Sequence, residues 1–507
     1  MKSKVNKNIA LVGILTAVSR SLGFLRDAVI AWLIGAGPIA DAFFVAFRIP
    51  NLLRRLLAEG ATNVAFVPVF NETMEKEGLD RAFSMARKTI TLMVLTLGAI
   101  VIIGEITSPF IVTIIAPGFI DTNTFDIALH LTRIMFPYIL LVSIVAMFMG
   151  ILNSLDHFAA PAAAPILLNI SMICIPIFFY ILMPFFGTAE DALAWSVLLG
   201  GLLQIGLQIS PLRTRNVPLR PSFNFKDKRV KQVLKLMGIA AIGASVYQIN
   251  VLIGTILASF LPRGSVSYLY YANRLVELPL GIFAFAVGNV MLPVMSQASA
   301  RVKMREMSGL VGKATNTILF FTVPSSLGLF VLAEPIVSLL FVRGQFRQTD
   351  ALLTAQALRM YALGLWAIGI SRILTQALYA MQQATTAVKV AWVTLVINLV
   401  LSIILMPYMQ HVGLALATTL SVIIQVALLH YLLRKRGVII PTSSYASLVK
   451  IFASGIIMFI CLIPVVHIHF WMNGLTPLSL LLLGMAITGG AVIYFISAWL
   501  MGIRSTH

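Results

Sequence analysis

The sequence predicts an all-α polytopic membrane protein with about fourteen transmembrane helices. They are arranged as two parallel six-helix repeats, followed by two extra C-terminal helices. Three observations carry that expectation: composition, the spacing of apolar segments and an internal duplication. The 507 residues are 59% hydrophobic and 11% charged, with a mean hydropathy of +0.96. A soluble chain of this length needs far more polar surface. Apolar segments of bilayer length recur between glycine, proline and charge punctuation, centred near residues 22, 55, 98, 140, 173, 202, 245, 282, 322, 365, 397, 423, 457 and 488. Strand-type alternation is absent, which excludes an outer-membrane barrel.

The duplication is visible within the chain itself. Ala46-Phe47-Arg48-Ile49 matches Ala272-Asn273-Arg274-Leu275, an offset of 226 from position 48 to position 274. The same offset pairs Asn63-Val64 with Asn289-Val290, Arg87 with Lys313, Pro109 with Pro335, Gly118 with Gly344 and Arg133 with Arg359. An even shift in spans makes the repeats parallel, related by an axis along the membrane normal. The expected organisation is an N-terminal half over 1–220, a second half over 221–440, and two additional helices over 441–507.

The basic N-terminus runs into an apolar stretch without a small-residue cleavage site, so a retained first span is expected rather than a signal peptide. Lys2, Lys4 and Lys7 precede that span, and a basic linker from Arg213 to Lys235 follows the sixth. Arg301, Lys303 and Arg305, then Arg434, Lys435 and Arg436, fall on the same side. Opposite loops carry Asp121, Asp126, Glu190 and Asp191, with Arg343 and Arg347 as exceptions. Positive charge collects in cytoplasmic loops, so both termini are expected there. This topology also accounts for the net charge of +19, which in a soluble protein would suggest nucleic acid.

The most informative stretch is Ser19–Gly60. It is apolar enough for a bilayer yet carries Arg20, Arg26, Asp27, Asp41, Arg48, Arg54, Arg55 and Glu59. An ionised side chain at the bilayer centre costs from about 2.5 kcal/mol upwards. Such charges persist only against each other, in a polar cavity or at the aqueous ends. Asp27 and Glu59 could simply neutralise nearby arginines. Arginines outnumber carboxylates, however, which favours a basic water-filled cavity for an anionic substrate. In the second half Arg274 and Glu277 lie three apart on one helical face, either as a self-neutralising pair or as a second contribution to the cavity. Gly23 and Pro50 are candidate hinges, being breakers beside the charged positions.

Motifs for soluble enzyme chemistry are missing: no P-loop, HExxH, GxSxG or dinucleotide fingerprint occurs. Cys174 and Cys461 stand alone, and His467 and His469 are spaced to face opposite ways, so no disulfide or metal site is expected. No enzyme activity and no cofactor is expected. Energy would come from a coupling ion, the membrane potential or the substrate gradient.

At SRSLGFLRD, ADAFFVAFRIPNLLRRLLAEGA, AFVPVF and YYANRLVELPLG the chain resembles the MurJ (MviN) family, the bacterial lipid II flippases of the multidrug/oligosaccharidyl-lipid/polysaccharide exporter superfamily. The resemblance runs essentially end to end. It implies a protein of the bacterial cytoplasmic (inner) membrane that carries lipid II, the undecaprenyl-pyrophosphate-linked disaccharide peptide used in peptidoglycan and cell-wall synthesis, to the outer leaflet by alternating access. It implies Arg20, Arg26, Asp41 and Arg54 as first-half cavity residues, with Arg274 and Glu277 as their second-half counterparts. It also implies a lipid-tail groove on the last two spans. Asn273 departs from the aspartate frequent in the family. Arginine suits pyrophosphate because its planar fork donates two parallel hydrogen bonds. The expected partners are lipid II, membrane lipids and other cell-wall synthesis proteins, with no nucleic acid. Two alternatives are a small-molecule or ion antiporter of the MATE type, which would want an acidic site, and a non-transporting scaffold of cell-wall synthesis, which needs no buried charge.

Overall fold

A computed structural model of the protein describes residues 2–54, 62, 65–182, 187–224, 226–301, 303–466 and 476–503. Arg55, Glu59, Asn63, Val64, His467, His469 and His507 lie outside the described residues. The chain is all-helical and divides into two compact units, Met1–Phe260 and Leu261–His507.

The first unit contains α1 (Lys2–Ile34), α2 (Pro38–Leu53), α3 (Val67–Glu77), α4 (Leu79–Ile115), α5 (Asn123–Met135), α6 (Tyr138–Ser154), α7 (Ala159–Leu182), α8 (Ala189–Arg213) and α9 (Lys228–Ser259). A short 3-10 turn, Pro117–Phe119, follows α4. Helix ends follow local chemistry. The Thr188 hydroxyl accepts the Asp191 N–H at the start of α8, with Glu190 and Asp191 in the first turn and Arg213 in the last. Those signs oppose the helix dipole at each end. Phe66, Phe70, Phe83, Met147 and Ile151 share one core with Leu212, Val217, Val230 and Val233. The linker between α8 and α9 is therefore packed into the unit rather than draped over it.

The second unit contains α10 (Ser265–Pro279), α11 (Phe285–Ala300), α12 (Met304–Val331), α13 (Ala333–Phe341), α14 (Gln348–Ala380), α15 (Ala384–Lys435), α16 (Thr442–Val466) and α17 (Pro477–Leu500). A π-helical segment, Leu280–Ala284, joins α10 to α11, and Arg54 at the end of α2 is also π-helical. Met307, Val311, Ile318, Ile373, Leu374, Leu429 and Val438 form the core of this unit together with Ile451 of α16. Helix α16 lies close along α12 because Gly455 has no side chain: a Cβ there would come within 2.9 Å of Leu327 and Val323.

Among the described residues nine helical stretches are long and apolar enough to cross a membrane, fewer than the sequence led us to expect. The reasons are local. One of the nine is α15, 52 residues long, roughly 78 Å at 1.5 Å per residue and hence long enough for two crossings. It breaks at Gln410, whose backbone is non-helical at φ 50° and ψ −133°. The segments that do not qualify are charged or interrupted. Helix α1 carries Arg20, Arg26 and Asp27; α9 begins with Lys228, Arg229, Lys231 and Lys235; α2 and α10 have 16 and 15 residues. Large apolar side chains such as Ile102, Ile106, Phe110, Ile403, Ile404, Leu480 and Leu481 are exposed on the long helices, as lipid-facing surface must be.

Local geometry recurs between the units. Asp156 and Gln382 both end helices in the left-handed region, at φ 56° and φ 57°. The next N–H groups, on His157 and Gln383, both reach back to the carbonyls of Leu152 and Leu378 at 2.8 Å. Arg133 Nε donates to Ser108 Oγ at 3.0 Å, and Arg359 stands 3.7 Å from Glu334. Ser222 N–H donates to Thr91 Oγ1 and Ile439 N–H to Ser308 Oγ, both at 2.9 Å.

Candidate functional site

Two residues of the charged stretch, Arg26 and Asp27, form a hydrogen-bonded cluster with Asn169 within the first unit. Arg26 is 7% exposed and Asp27 1%. Arg26 donates to one Asp27 oxygen from Nε at 3.0 Å and from Nη2 at 2.7 Å. Its third contact is Asn169 Oδ1 of α7, 3.1 Å from Nη1. Asn169 also donates from Nδ2 to the Ser19 carbonyl at 2.9 Å, which ties α7 to α1. Removing one partner of a buried ion pair costs about 3–5 kcal/mol, so this arrangement fixes the guanidinium in place. The neutralising role open to Asp27 in the sequence is what it performs here.

Helix α1 continues unbroken through Gly23. A Cβ at Gly23 would stand 3.6 Å from Asn169 Nδ2, an ordinary contact, so that position does not need glycine for space. Arg20 is exposed and lies six residues before Arg26, which puts the two on different sides of α1. Asp41 is buried at 2% exposure in the first turn of α2. Pro50 is buried inside α2, and Arg54 just beyond it donates from Nε to Asn51 Oδ1 at 3.1 Å.

Tyr138 opens α6 at 1% exposure, and its hydroxyl has no hydrogen-bond partner among the described residues. In the second unit Arg274 Nη1 contacts Glu277 Oε2 at 2.8 Å. Asn273 Nδ2 donates to the other Glu277 oxygen at 3.2 Å, so the asparagine supplies a donor to Glu277 where an aspartate would repel it. The Arg274 guanidinium lies 5.9 Å from the Tyr270 ring centroid.

Sequence reading missed Asn169 and the buried Tyr138. An asparagine in an apolar helix is a signal of a polar interior. Tyr138 gives no such signal, because tyrosine is common in membrane helices. Among the described residues no group of three or more His, Cys, Asp or Glu could hold a metal ion. Each unit thus holds a hydrogen-bonded arginine beside its carboxylate, Arg26 with Asp27 and Arg274 with Glu277.

A family model described as lipid II flippase MurJ matches residues 30–486. A probable lipid II flippase MurJ of Buchnera aphidicola subsp. Baizongia pistaciae is 35% identical over 458 residues, covering 90% of this chain and 89% of that one. The lipid II flippase MurJ of Burkholderia cenocepacia is 33% identical over 500 residues, covering 97% and 96%. A solved structure of lipid II flippase MurJ in an inward closed conformation has a TM-score of 0.79 and 28% identity, covering 96% of this chain and 99% of its own. An inward-facing multidrug resistance MATE transporter of the MOP superfamily has a TM-score of 0.68 at 15% identity, covering 82% and 94%, a likeness of fold alone. The extent and identity of these matches place the chain, a multi-pass membrane transporter and not an enzyme, in the MurJ family of lipid II flippases.

Proposed function

We propose that this protein moves lipid II from the cytoplasmic to the outer leaflet of the bacterial inner membrane by alternating access. The observation that carries the reading is the Arg26–Asp27–Asn169 constellation, a cation oriented inside an otherwise apolar helix bundle. A pyrophosphate headgroup would otherwise have to shed its hydration in hydrocarbon. Arg20, Arg26, Arg54 and Arg274 bind the pyrophosphate, Asp41 and Glu277 orient the donors, and Gly23 and Pro50 absorb bending. The carboxylates next to Arg26 and Arg274 keep those cations tolerable in the empty site and yield them to phosphate when substrate arrives.

The chain crosses the membrane about fourteen times, with α15 passing twice and the charged or interrupted helices α1, α2, α9 and α10–α11 completing the set. Its halves span 1–220 and 221–440, and 441–507 adds a groove for the prenyl tail. The recurrent geometry at Asp156 and Gln382, and at Arg133 and Arg359, supports a duplicated framework whose halves rock about an axis along the membrane normal. Both termini are cytoplasmic, and a coupling ion or the membrane potential drives the cycle. Other cell-wall synthesis proteins supply and consume the substrate.

The test is depletion of the protein in cells whose surface lipid II headgroups are quantified by an impermeant probe. Headgroup arrival at the outer leaflet should stop while cytoplasmic-leaflet lipid II accumulates. In a strain whose only lipid II flippase is this protein, undiminished arrival after depletion would overturn the proposal.

A further inference from the structure

By sequence α9 opens the second half of the chain, yet by packing it belongs to the first unit. Both of its ends are held there, by different chemistry. At the linker end Asp227, with 1% side-chain exposure, contacts Lys88 Nζ at 2.9 Å and Arg81 Nη1 at 3.0 Å. It also accepts the Arg229 N–H at 3.0 Å, capping α9. Arg229 in turn contacts Glu77 at 2.8 Å and Glu72 at 3.2 Å. At the far end the hydrogen bond among the described residues is neutral: Gly118 N–H donates to Ser259 Oγ at 3.0 Å. Ser259 is 3% exposed and Phe119 7%. A Cβ on Gly118 would stand 2.2 Å from the Ser259 carbonyl oxygen, so only glycine lets the Pro117–Phe119 turn approach α9 this closely.

We propose that α9 is a lever, pivoted on the Asp227 charge cluster and caught at Gly118–Ser259 on the opposite side of the membrane. The catch releases and re-forms in each transport cycle. The asymmetry gives the direction: the buried Asp227–Lys88 pair, with Asp227 also capping α9 through the Arg229 N–H, resists separation more than one neutral hydrogen bond. The Gly118 end therefore opens while the Asp227 end stays closed. That end lies on the outer face in the proposed topology, so release there opens the path to the outer leaflet. The inference rests on the alternating-access reading for its role in the cycle, but the catch itself rests only on geometry.

The experiment uses the full chain with Cys174→Ser and Cys461→Ser, and Ala258→Cys as reporter, since Ala258 is 2% exposed beside Ser259. An impermeant maleimide is applied from outside. Gly118→Ala pries the catch sterically; Ser259→Ala removes the acceptor and adds no atom, which covers failure of the first variant to accumulate. Labelling should rise about two- to tenfold in either variant, the population change worth one neutral hydrogen bond. Surface lipid II arrival should change in the same variants. Unchanged labelling in both overturns the catch, and raised labelling with unchanged transport overturns its place in the cycle. If the parent reporter chain moves no lipid II while labelling still responds, the flippase reading and the role in the cycle fall together and the catch stands.

Discussion

Arg215 reaches His157 in the first unit, its Nη2 3.2 Å from the imidazole Nδ1, while its Nη1 donates to the carbonyl of Pro211. Arg436 makes a related contact in the second unit, donating to the carbonyl of Leu432 at 3.2 Å, to Gln383 Oε1 at 3.4 Å and to Thr386 Oγ1 at 3.0 Å. Arg215 pins the end of α8 to the turn between α6 and α7, and Arg436 pins the end of α15 to the turn between α14 and α15. Such a pin requires His157 neutral with Nδ1 as acceptor. Burial first, and the Arg215 charge second, depress the His157 pKa below its ordinary value.

The sign follows for stability. A histidine whose folded pKa is depressed binds its proton sooner in the unfolded chain, so stability falls as pH drops through about 6.5 towards the lowered value. Arg215→Ala should cost about 0.5–1.5 kcal/mol at pH 8 and flatten that decline. Arg436→Ala should cost a similar amount and leave the pH profile of unfolding unchanged, because Gln383 does not titrate. Thermal unfolding in detergent across pH 5–8 measures both, the range being about that over which histidine titrates. A steeper profile in Arg215→Ala would contradict the assignment.

These pins also show why the sequence was only partly legible. Gln383 and His157 keep the offset of 226, but Arg436 follows Arg215 by 221, from position 215 to position 436. The offset slips between them, and the side chains at 157 and 383 share a role without sharing chemistry. Periodicity and hydropathy were sufficient for the helical class and for the arginines of α1 and α2, since a charge within an apolar run is conspicuous. The partner of Arg26 was not legible, because Asn169 lies 143 residues away and nothing local pairs the two. The long apolar run that forms α15 was legible, whereas its break at Gln410 was not.

Asn169 supports the second prediction. Asn169→Leu removes both the acceptor for Arg26 and the donor to Ser19, and should lower lipid II export while the protein still inserts. A hydrogen bond to a charged group is worth about 1.5–3 kcal/mol, so a large fractional loss is expected. Arg26→Ala should abolish export, and Arg26→Lys should restore it only partly, a point charge replacing a planar fork. Surface lipid II assays at matched expression measure the series. Full activity of Arg26→Ala would remove this site from the mechanism.

The linker cluster titrates in the opposite pH range. Burial pushes the Asp227 carboxyl up, but the Lys88 hydrogen bond, the Arg229 N–H and the Arg81 and Lys88 charges together hold it below its ordinary value. A carboxylate with a depressed folded pKa contributes stability in full above about pH 4, and loses it as pH falls through the lowered value. Asp227→Asn should therefore destabilise the protein at neutral pH by about 3 kcal/mol, the lower end for a buried pair, since Arg81 is 40% exposed. Below pH 4 the variant and parent should converge. Parallel unfolding curves at all pH values would mean that Asp227 is not ionised in the fold.

The final prediction concerns α16 and α17, the helices proposed to hold the prenyl tail. Helix α17 is fastened to α12 through Tyr494, whose hydroxyl donates to the Phe320 carbonyl at 2.8 Å, with the two rings 5.5 Å apart. Tyr494→Phe keeps the ring contact and loses one hydrogen bond, costing about 0.5–1.5 kcal/mol; it tests attachment alone. Leu482 is half-buried on α17, between exposed Leu481 and buried Leu483. If the prenyl tail lies along this helix, Leu482→Arg places a cation against it at bilayer depth, a penalty of about 2–4 kcal/mol. Lipid II binding to the purified variant should weaken, whereas a headgroup analogue without a tail should bind as before. Leu481→Arg, one position round the helix on the exposed face, controls for the charge itself and should not discriminate between the two ligands. Equal loss of tailed and tailless ligand at both positions would make α16 and α17 structural supports, with the tail left in the surrounding lipid.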